Sequence, residues 1–475
     1  MKRQKLVKEV TRREKDFSQW YTDVCLKAEL INYSDVKGFF IYLPYGYSLW
    51  ERIQIFLNHK LKKSHHQNVY FPLLFAENLF QKEKEHIKGF SLEALKIEKV
   101  KDKIIQENLI LRPTSEVLFS QYYAKKITSY RDLPQLLNQW CSVIRWEKNT
   151  KPFLRSKEFL WQEGHTVHEN KKEALRECCY IINLYKKLGQ KLLAIPFVLG
   201  KKTQLEKFKG AQITYSIEAL MYDGQALQSG TSHYLGTNFS ESFDIQFQDD
   251  NLQKKFAHQT SWGISTRLIG AVIMIHGDDE GLNLPPYLAP IQIVIIPIQN
   301  KNQDILEKAQ QYYQKLKNKY RVFLDLQDKH VGWKFSHYEL KGVPLRIEIG
   351  LRDLVQQQVI VFIRHNFQKI ILKEQEVITN IPFLLKKINQ DMFQKALQNL
   401  NQNIHTAYNY EEFKQYLQQK KGYIKMSVHA NEAEMIIKKE TRATARIILK
   451  EKLITKICPV TNKKANQTIL FARSY

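Results

Sequence analysis

The chain of 475 residues is long enough for about three domains, and its apolar residues, 43% of the total, can fill their cores. Its 73 Lys and Arg residues against 48 Asp and Glu residues leave a formal net charge of +25, which indicates nucleic acid or an anionic membrane surface as a partner, unless the charge only solvates the surface. Because it has no apolar run of about 18 residues, no apolar core in its basic N-terminal segment and no even framework among its five cysteines, we expect a cytoplasmic protein without membrane spans or disulfides.

Up to about residue 287 the sequence predicts helices interrupted by strands. The predicted helices cover residues 47–63, 112–127, 172–195 and 266–277. The predicted strands cover residues 68–74, a hairpin with strands 145–147 and 153–162, and 213–221, 225–236 and 242–247.

The segment LNLPPYLAP, residues 282–290, contains helix-breaking prolines and ends this first block. Strands at 291–298, 320–326, 343–350 and 358–365 then alternate with helices, which predicts a compact α/β unit. The remainder is polar and basic. We therefore expect three domains, at residues 1–287, 288–395 and 396–475.

The predicted hairpin places many charged residues among aromatic neighbours. These charges either pair with one another across the strands or await a charged ligand. No phosphate-binding loop is present, because LGKKT (199–203) lacks the upstream glycine that such a loop requires. Lys425-Met426-Ser427 is a chance match to a nucleotide-binding signature. If ATP binds, arginines must neutralise its phosphates, and Arg145 and Arg267 are candidates, although Arg267 alone could be a residue that extends out of a core helix.

Several motifs together resemble the prolyl-tRNA synthetases of the archaeal and eukaryotic type, which are class II aminoacyl-tRNA synthetases. The resemblance is carried by LRPTSE, VIRWE, PFLRSKEFLWQEGHT, QSGTSHYLGTNFS, GISTRLIGA, ELKGVPLRIEIG and the final FARSY. It implies an α+β fold in which an antiparallel sheet flanked by helices is followed by an α/β anticodon-binding domain and a small α+β C-terminal domain. It also implies ATP-dependent activation of L-proline to prolyl-adenylate and transfer to the 3′ end of tRNA(Pro).

The resemblance assigns roles to individual residues. Arg145 and Arg267 would be catalytic, and both would contact ATP phosphates. The remaining ATP-site residues would be Glu147, Arg155, Ser156, Gln228, Thr231 and Ser265, with Gln228 also holding Mg²⁺. The proline site would consist of Thr114, Glu116, Arg145, Trp161 and His233. Thr114 and Glu116 could alternatively serve only to cap a helix. His65, His66, His165 and His168 have no metal-ligand partners at useful spacing and are interpreted as structural.

In the middle domain Glu339, Arg346 and Asp353 would read the anticodon of tRNA(Pro); a surface ion-pair cluster is the alternative. The helix and strand around NVYFPLL (68–74), including Pro72, resemble the class II segment that forms the subunit interface, so a homodimer is expected. In the C-terminal domain the family's four-cysteine zinc site keeps only Cys458, and His429 cannot complete it, so we expect no zinc. Hydrophobic residues would hold that domain instead: Ile436, Ile447, Ile457 and Phe471.

Two other functions remain compatible with the sequence. One is a synthetase-like paralogue that binds tRNA or an amino acid without activating it. The other is a class II enzyme for another amino acid, although Thr114, Glu116 and His233 do not favour it.

Overall fold

The structure is a computed structural model that describes residues 10–79, 94–101, 103–299, 302–419 and 422–475. The basic residues 1–9 of the N-terminal segment lie outside these ranges. None of the described helices has the length and apolar character needed to cross a membrane.

The described α-helices are numbered here in chain order. They are α1 Phe17–Lys27, α2 Pro44–Lys63, α3 Glu116–Lys126, α4 Lys171–Leu188, α5 Asn238–Phe243, α6 Arg267–His276, α7 Gln303–Leu316, α8 Val331–Leu340, α9 Leu351–Val355, α10 Glu374–Gln402, α11 Tyr410–Gln419 and α12 Glu432–Thr441. A π-helical turn, Gly189–Leu193, extends α4.

The strands are numbered in the same way. They are β1 Ile31–Tyr33, β2 Phe40–Tyr42, β3 Gln67–Asn68, β4 Leu74–Ala76, β5 Lys96–Val100, β6 Lys103–Leu111, β7 Gln135–Ile144, β8 Glu158–His168, β9 Val198–Lys201, β10 Ile213–Leu220, β11 Ala226–Gly236, β12 Gln246–Gln248, β13 Lys254–Phe256, β14 His258–Ser265, β15 Ile293–Pro297, β16 Val322–Leu324, β17 Leu345–Ile349, β18 Gln358–Ile363, β19 Gln368–Lys373, β20 Ile404–Thr406, β21 Tyr423–Val428, β22 Thr444–Leu449 and β23 Gln467–Ala472.

The largest sheet has the strand order β20-β21-β23-β22-β9-β10-β11-β14-β8-β7-β3. Its central strands β9, β10, β11, β14, β8 and β7 are antiparallel to one another, whereas the edge strand β3 is parallel to β7. Helix α4 packs on one face of these strands, where its Tyr185 hydroxyl donates to the Gln162 side chain. The opposite face carries the cleft described below. This arrangement confirms the antiparallel sheet flanked by helices.

The middle unit is a five-stranded sheet of order β16-β15-β17-β18-β19, with parallel pairs on either side of β15. Its buried core includes residues of α7 and α10. The predicted alternation of strands and helices is therefore confirmed. Helix α10 runs through residue 395, where the sequence predicted a domain boundary, and continues to Gln402.

The hairpin has different limits from those predicted. Its strands are β7 and β8, which pair from Gln135 opposite Val167 to Ile144 opposite Glu158, so Arg145 lies just beyond β7 and Phe153 lies in the connecting loop. Phe153 has φ 59°, a left-handed conformation that a strand cannot contain. The charged residues of this loop are thereby placed beside the sheet rather than within it.

Two further predicted strands are shorter than expected. In residues 68–74 only the ends belong to strands, β3 and β4, because Pro72 has no N–H to donate to a ladder. In residues 242–247 the chain first completes α5, then passes through left-handed Asp244 before it enters β12.

The C-terminal unit packs its own core around β21, β22, β23 and α12. Ile447 and Phe471 are fully buried, as predicted, and Ile436 is half-buried. The prediction for Ile457 is wrong, because its side chain is 55% exposed. In helix α12 the neighbour of Ile436, Ile437, is fully buried in the core, at 0% exposure.

A buried ion cluster joins this unit to the catalytic sheet. The Glu218 carboxylate on β10 accepts hydrogen bonds from Lys202 Nζ at 2.7 Å and from two nitrogens of Arg446 at 2.7 and 3.0 Å. Arg446 belongs to β22, whereas Lys202 and Glu218 belong to the first block. Since a buried carboxylate needs charged partners, the C-terminal unit supplies half of the compensation for Glu218.

Replacement of Arg446 by Met should lower the free energy of unfolding by about 3–5 kcal/mol, because it leaves Glu218 buried with one partner fewer. Urea unfolding monitored by tryptophan fluorescence measures the change. Arg473→Met, at an exposed position of the same unit, is the matched control and should change stability by no more than about 0.5 kcal/mol. Equal effects of the two variants would contradict a stabilising role for the ion cluster.

Candidate active site

Strands β8, β14 and β11 form the floor of a cleft. Side chains two residues apart on a strand share one face, so Trp161, Glu163 and His165 project together from β8. The strand registers place Gly263 opposite both Glu163 and Thr231. His233 belongs to the next row, opposite Ser261, which in turn lies opposite His165. The resulting cleft has a volume of about 140 Å³.

A glycine permits the close packing beneath this floor. A Cβ atom on Gly164 would lie 2.0 Å from the Trp262 ring of the neighbouring strand. Trp262 is 2% exposed, so a side chain at position 164 would displace the indole and separate β8 from β14.

A β-bulge in β11 brings Gln228 to the same face as Thr231. The register shifts so that Ser216 of β10 lies opposite Thr231 while Glu218 lies opposite Gln228. In a strand without a bulge, Gln228 and Thr231 would project from opposite faces, because they are three positions apart. The bulge therefore extends the cleft toward the end of β11.

The start of helix α3 forms one wall of the cleft. Ser115 is the N-cap residue, but its side chain makes no capping bond and its hydroxyl instead donates to Glu163 Oε1 at 2.5 Å. Thr114 donates its hydroxyl to the Glu116 carboxylate. Capping therefore does not explain Thr114, and the Thr-Ser-Glu segment is bound to the floor of the cleft.

Glu163 is fully buried and accepts several hydrogen bonds. Its partners include Gln139 Nε2 at 2.9 Å and His165 Nε2 at 3.2 Å. Burial alone would raise the pKa of Glu163, but the hydrogen bonds from His165, Ser115 and Gln139 and the charge interaction with His165 outweigh it, so the pKa is lowered. The carboxylate is therefore ionised at neutral pH.

Three potential ligand groups converge in this part of the cleft. Ligand atoms of Glu116, Glu163 and His165 all lie within 4.8 Å of one another. The sequence predicted no metal-ligand partners at useful spacing for His165, and this is wrong, because two carboxylates lie beside it. On strand β11, burial lowers the pKa of His233 to about 3, so this imidazole is neutral at neutral pH. Its Nδ1 lies 2.9 Å from the Thr214 hydroxyl.

Arg145 lies between this acidic group and the outer part of the cleft. Its guanidinium carbon lies 5.4 Å from the centre of the Phe159 ring and 5.2 Å from that of Trp161, while Nε donates to the Pro113 carbonyl at 3.0 Å. Burial lowers the pKa of Arg145, and Glu116, Glu163 and Glu147 oppose that shift. The guanidinium remains charged at neutral pH because an arginine pKa begins so high.

Arg267 opens helix α6 at the other end of the cleft. Nε donates to the Leu154 carbonyl and Nη1 to the Gln228 carbonyl, both at 3.2 Å. Its backbone N–H donates to the Ser265 hydroxyl at 3.3 Å. Burial, followed by repulsion from Arg155 and Arg145, lowers the pKa of Arg267 to about 10. Arg155 and Arg145 thus both repel Arg267, and a perturbed cation in a cleft is typical of a functional site.

Glu147, Arg155 and Ser156 lie in the loop after β7 and do not line the cleft itself. Arg155 Nε is 3.9 Å from Glu147 Oε2, and both side chains are exposed. Ser156 is buried. Part of the charge in this loop is therefore paired internally, while Arg155 still acts electrostatically on Arg267.

Eight of the predicted ATP- and proline-site residues line the cleft. They are Glu116, Arg145, Trp161, Gln228, Thr231, His233, Ser265 and Arg267. Thr114 contacts it through Glu116. Glu163 and His165 also line the cleft but were not predicted as site residues. Their alternation with Trp161 along one strand was a usable signal that the three side chains share a face.

The three predicted anticodon residues lie in the middle unit. The Arg346 guanidinium is buried between the Phe335 and Phe362 rings and bonds to Glu339 at 2.9 Å and to Glu348 at 2.8 Å. Asp353 lies on α9 and is half-buried. Glu339 and Arg346 are thus brought together as a buried ion pair.

Cys458 and His429 are not joined to a ligand set among the described residues. Cys458 is fully buried in the C-terminal core, and His429 Nδ1 lies 3.1 Å from the Lys464 carbonyl oxygen.

Three family models match the chain in succession. The "tRNA synthetase class II core domain (G, H, P, S and T)" matches residues 98–276, the "Anticodon binding domain" matches residues 292–383, and "Prolyl-tRNA synthetase, C-terminal" matches residues 410–475.

Curated relatives named proline–tRNA ligase match over the full length. Those of Onion yellows phytoplasma (strain OY-M) and Phytoplasma australiense are 63% and 64% identical over 475 residues, with all of both chains covered. That of Clostridium botulinum (strain Loch Maree / Type A3) is 47% identical over 476 residues, again with both chains fully covered.

Two solved structures of prolyl-tRNA synthetase from Cryptosporidium parvum have the same fold. The complex with halofuginone and AMPPNP has a TM-score of 0.94 at 39% identity, and the complex with L-proline and AMP has a TM-score of 0.93 at 38% identity. Each match covers 99% of this chain and 97% of the other. Sequence, fold and cleft agree, and the chain belongs to the prolyl-tRNA synthetases, the class II aminoacyl-tRNA synthetases that act as proline–tRNA ligases.

Proposed function

We propose that the cleft binds ATP and L-proline side by side and that the chain's own side chains form prolyl-adenylate there. The observation that carries this proposal is the position of Arg145, with Glu116 and Glu163 on one side and the region of Arg267 on the other. One cation thereby adjoins both an ammonium-binding group and a phosphate-binding group.

Proline is assigned to the acidic end of the cleft. Its secondary ammonium needs acceptors, which the carboxylates of Glu116 and Glu163 provide, with Thr114 holding Glu116 in place. Trp161 supplies an apolar wall for the ring, and neutral His233 closes the pocket without repelling the ammonium. Two of the three groups that could hold a metal ion, Glu116 and Glu163, are thus assigned to a cationic substrate.

ATP is assigned to the region of the arginines. Arg145 neutralises the α-phosphate and Arg267 the γ-phosphate, while Thr231 and Ser265 donate hydroxyls. Glu147, Arg155 and Ser156 border the adenine and ribose outside the cleft. Gln228 offers a carbonyl oxygen to Mg²⁺, which takes its other ligands from phosphates and water.

The first step needs no general base. A carboxylate oxygen of proline attacks the α-phosphorus, and the bond to the bridging oxygen breaks as pyrophosphate leaves. In the second step the 3′-terminal hydroxyl of tRNA(Pro) attacks the prolyl carbonyl carbon, the bond from that carbon to the phosphate oxygen breaks, and the hydroxyl proton passes to the departing AMP phosphate. Because the nucleophile of the first step is already ionised, catalysis consists of positioning and neutralisation of charge.

Amino-acid-dependent ATP–pyrophosphate exchange tests this function directly. Exchange should occur with L-proline and exceed that with threonine, glycine or alanine. Exchange with no amino acid would favour an inactive paralogue that only binds tRNA or an amino acid, and preferential exchange with another amino acid would contradict the assignment of Thr114, Glu116 and His233.

Arg145→Ala should reduce the rate of pyrophosphate exchange by about 100-fold or more, because it removes a donor from the developing charge on the α-phosphate. Arg131→Ala is the control, since Arg131 is exposed and distant from the cleft. Thermal unfolding of both variants separates loss of catalysis from loss of fold. A folded Arg145→Ala protein with the parental exchange rate would refute the role.

The middle unit is assigned to the anticodon of tRNA(Pro), read by Glu339, Arg346 and Asp353. The ion pair between Glu339 and Arg346 must open for both groups to reach base edges, and Phe335 and Phe362 can then stack on bases. Domain boundaries follow the sequence expectation of 1–287, 288–395 and 396–475, with α10 as a shared helix across the second boundary.

The active form is proposed to be a cytoplasmic homodimer. Tyr70 and Leu74, in the segment around Pro72, are 69% and 38% exposed in the single chain, which suits an interface. Light scattering at micromolar concentration should give twice the mass of one chain. Tyr70→Glu should shift the population toward monomer, whereas Val355→Glu, exposed in the middle unit, should not; a monomer before mutation would refute the dimer.

The C-terminal unit is proposed to fold without zinc, since Cys458 is packed in an apolar core and His429 is bound to the backbone at Lys464. Elemental analysis of untagged protein should find far less than one zinc per chain, and a chelator should leave its thermal midpoint unchanged. Stoichiometric zinc whose removal lowers that midpoint would overturn this proposal.

A further inference from the structure

A second cavity lies between the catalytic block and the middle unit, and we propose that it binds a nucleoside polyphosphate. This interdomain cavity has a volume of about 780 Å³, within the range of small-molecule sites. Its walls come from α2, the π-helical turn after α4, and α10, together with Tyr287 and Arg321. It shares no lining residue with the catalytic cleft.

The charge of the lining has one sign. The described residues of its walls include no Asp or Glu. The cationic side chains that line it are Arg52, Lys60, Lys191, Arg321 and Lys386. Burial and then the charge of Arg52 lower the pKa of Arg321 to about 10. The Arg321 guanidinium is held by hydrogen bonds to the carbonyl groups of Ala289, Pro286 and Tyr287. The described lining offers no carboxylate to either arginine, so an anion in the cavity would offset their mutual repulsion.

Two buried polar groups in the wall have no partner among the described residues. They are Arg52 Nε and Asn389 Oδ1, and the Asn389 side chain belongs to a residue only 7% exposed. A buried donor or acceptor without a partner costs free energy, and both of these belong to residues of the cavity lining. A ligand with an anionic end and a hydrogen-bonding end would satisfy both.

The rest of the wall is apolar and aromatic. Phe56 and Phe393 are half-buried, Tyr287 is 39% exposed, and Leu192 is buried. Aromatic faces beside clustered cations match the two halves of a nucleotide, because bases stack on aromatic rings while phosphates pair with Lys and Arg. A base with an amino group would suit the Asn389 amide, so the chemistry points to a nucleoside polyphosphate rather than a simple inorganic anion.

The test must separate this cavity from the catalytic cleft. The protein is first saturated with a non-hydrolysable prolyl-adenylate analogue, which occupies the ATP and proline positions together. GTP is then titrated by calorimetry, with inorganic tripolyphosphate in a parallel titration. We expect one GTP site per chain, with affinity at least about tenfold higher than that for tripolyphosphate, because only GTP uses the aromatic wall.

Two variants locate that site. Arg52→Gln removes a cation without breaking a described hydrogen bond, and Asn389→Leu removes the amide without changing the charge. Each should weaken GTP binding about tenfold or more. Lys63→Gln, an exposed position on α2, and Asn399→Leu, an exposed position on α10, are the matched controls and should bind GTP like the parent.

Three results would overturn the proposal. The first is absence of GTP binding to the saturated protein, and the second is equal affinity for GTP and tripolyphosphate, which would exclude a nucleoside site. The third result combines two observations: the parent binds no measurable GTP, and Arg52→Gln or Asn389→Leu changes the oligomeric mass. Together they would show that a second copy of the chain fills the cavity.

Discussion

The buried carboxylate of Glu163 connects the parts on which the active cleft depends. It receives hydrogen bonds from Ser115 at the start of α3, from Gln139 on β7 and from His165 on its own strand. A helix start and two strands are therefore fixed relative to a single charge. Glu116 follows Ser115 directly, so the position of the proposed proline-binding carboxylate is set by this contact, and with it the electrostatic environment of Arg145. The free-energy cost of burying the Glu163 carboxylate is therefore offset by the same hydrogen bonds that hold the helix and the strands of the site together.

The cations of the cleft complement this arrangement. Burial lowers the pKa of Arg267, and repulsion from Arg155 and Arg145 lowers it further. Three buried arginines outside the cleft are instead paired with carboxylates: Arg446 with Glu218, Arg346 with two carboxylates, and Arg364 with Asp278. Arg267 differs from these three, because the hydrogen bonds of its guanidinium go to backbone carbonyl groups.

The sequence predicted the family, the order of most elements and most residues of the cleft, because short motifs such as Thr-Ser-Glu and Arg-Trp-Glu identify positions directly. It could not predict where strands end. Residues 153–162 alternate like a strand, yet Phe153 adopts a left-handed conformation, and such backbone choices depend on tertiary contacts. The bulge that turns Gln228 toward the cleft leaves no compositional mark.

Side-chain environments were the least predictable. His165 looked isolated because Glu116 comes close to it only after α3 docks on the sheet, although Glu163 lies two residues before it on the same strand. Ile457 is apolar but exposed, since periodicity does not determine which side of an irregular segment faces a core. The sequence did not determine whether Arg346 pairs with Glu339, because two residues seven positions apart meet only when β17 lies beside α8.

The path of the chain through the large sheet affects its biosynthesis. Strand β9 of the catalytic sheet pairs with β22, and β23 lies between β21 and β22. Because the ribosome makes these strands in numerical order, the edge of the catalytic sheet stays uncovered until the whole middle unit has been synthesised. Strands β21 and β22 each pair with β23, so neither has this partner until β23 emerges from the ribosome. Unpaired edges are sites of aberrant association, so the nascent chain carries an exposed strand edge, and the hazard that goes with it, during that interval.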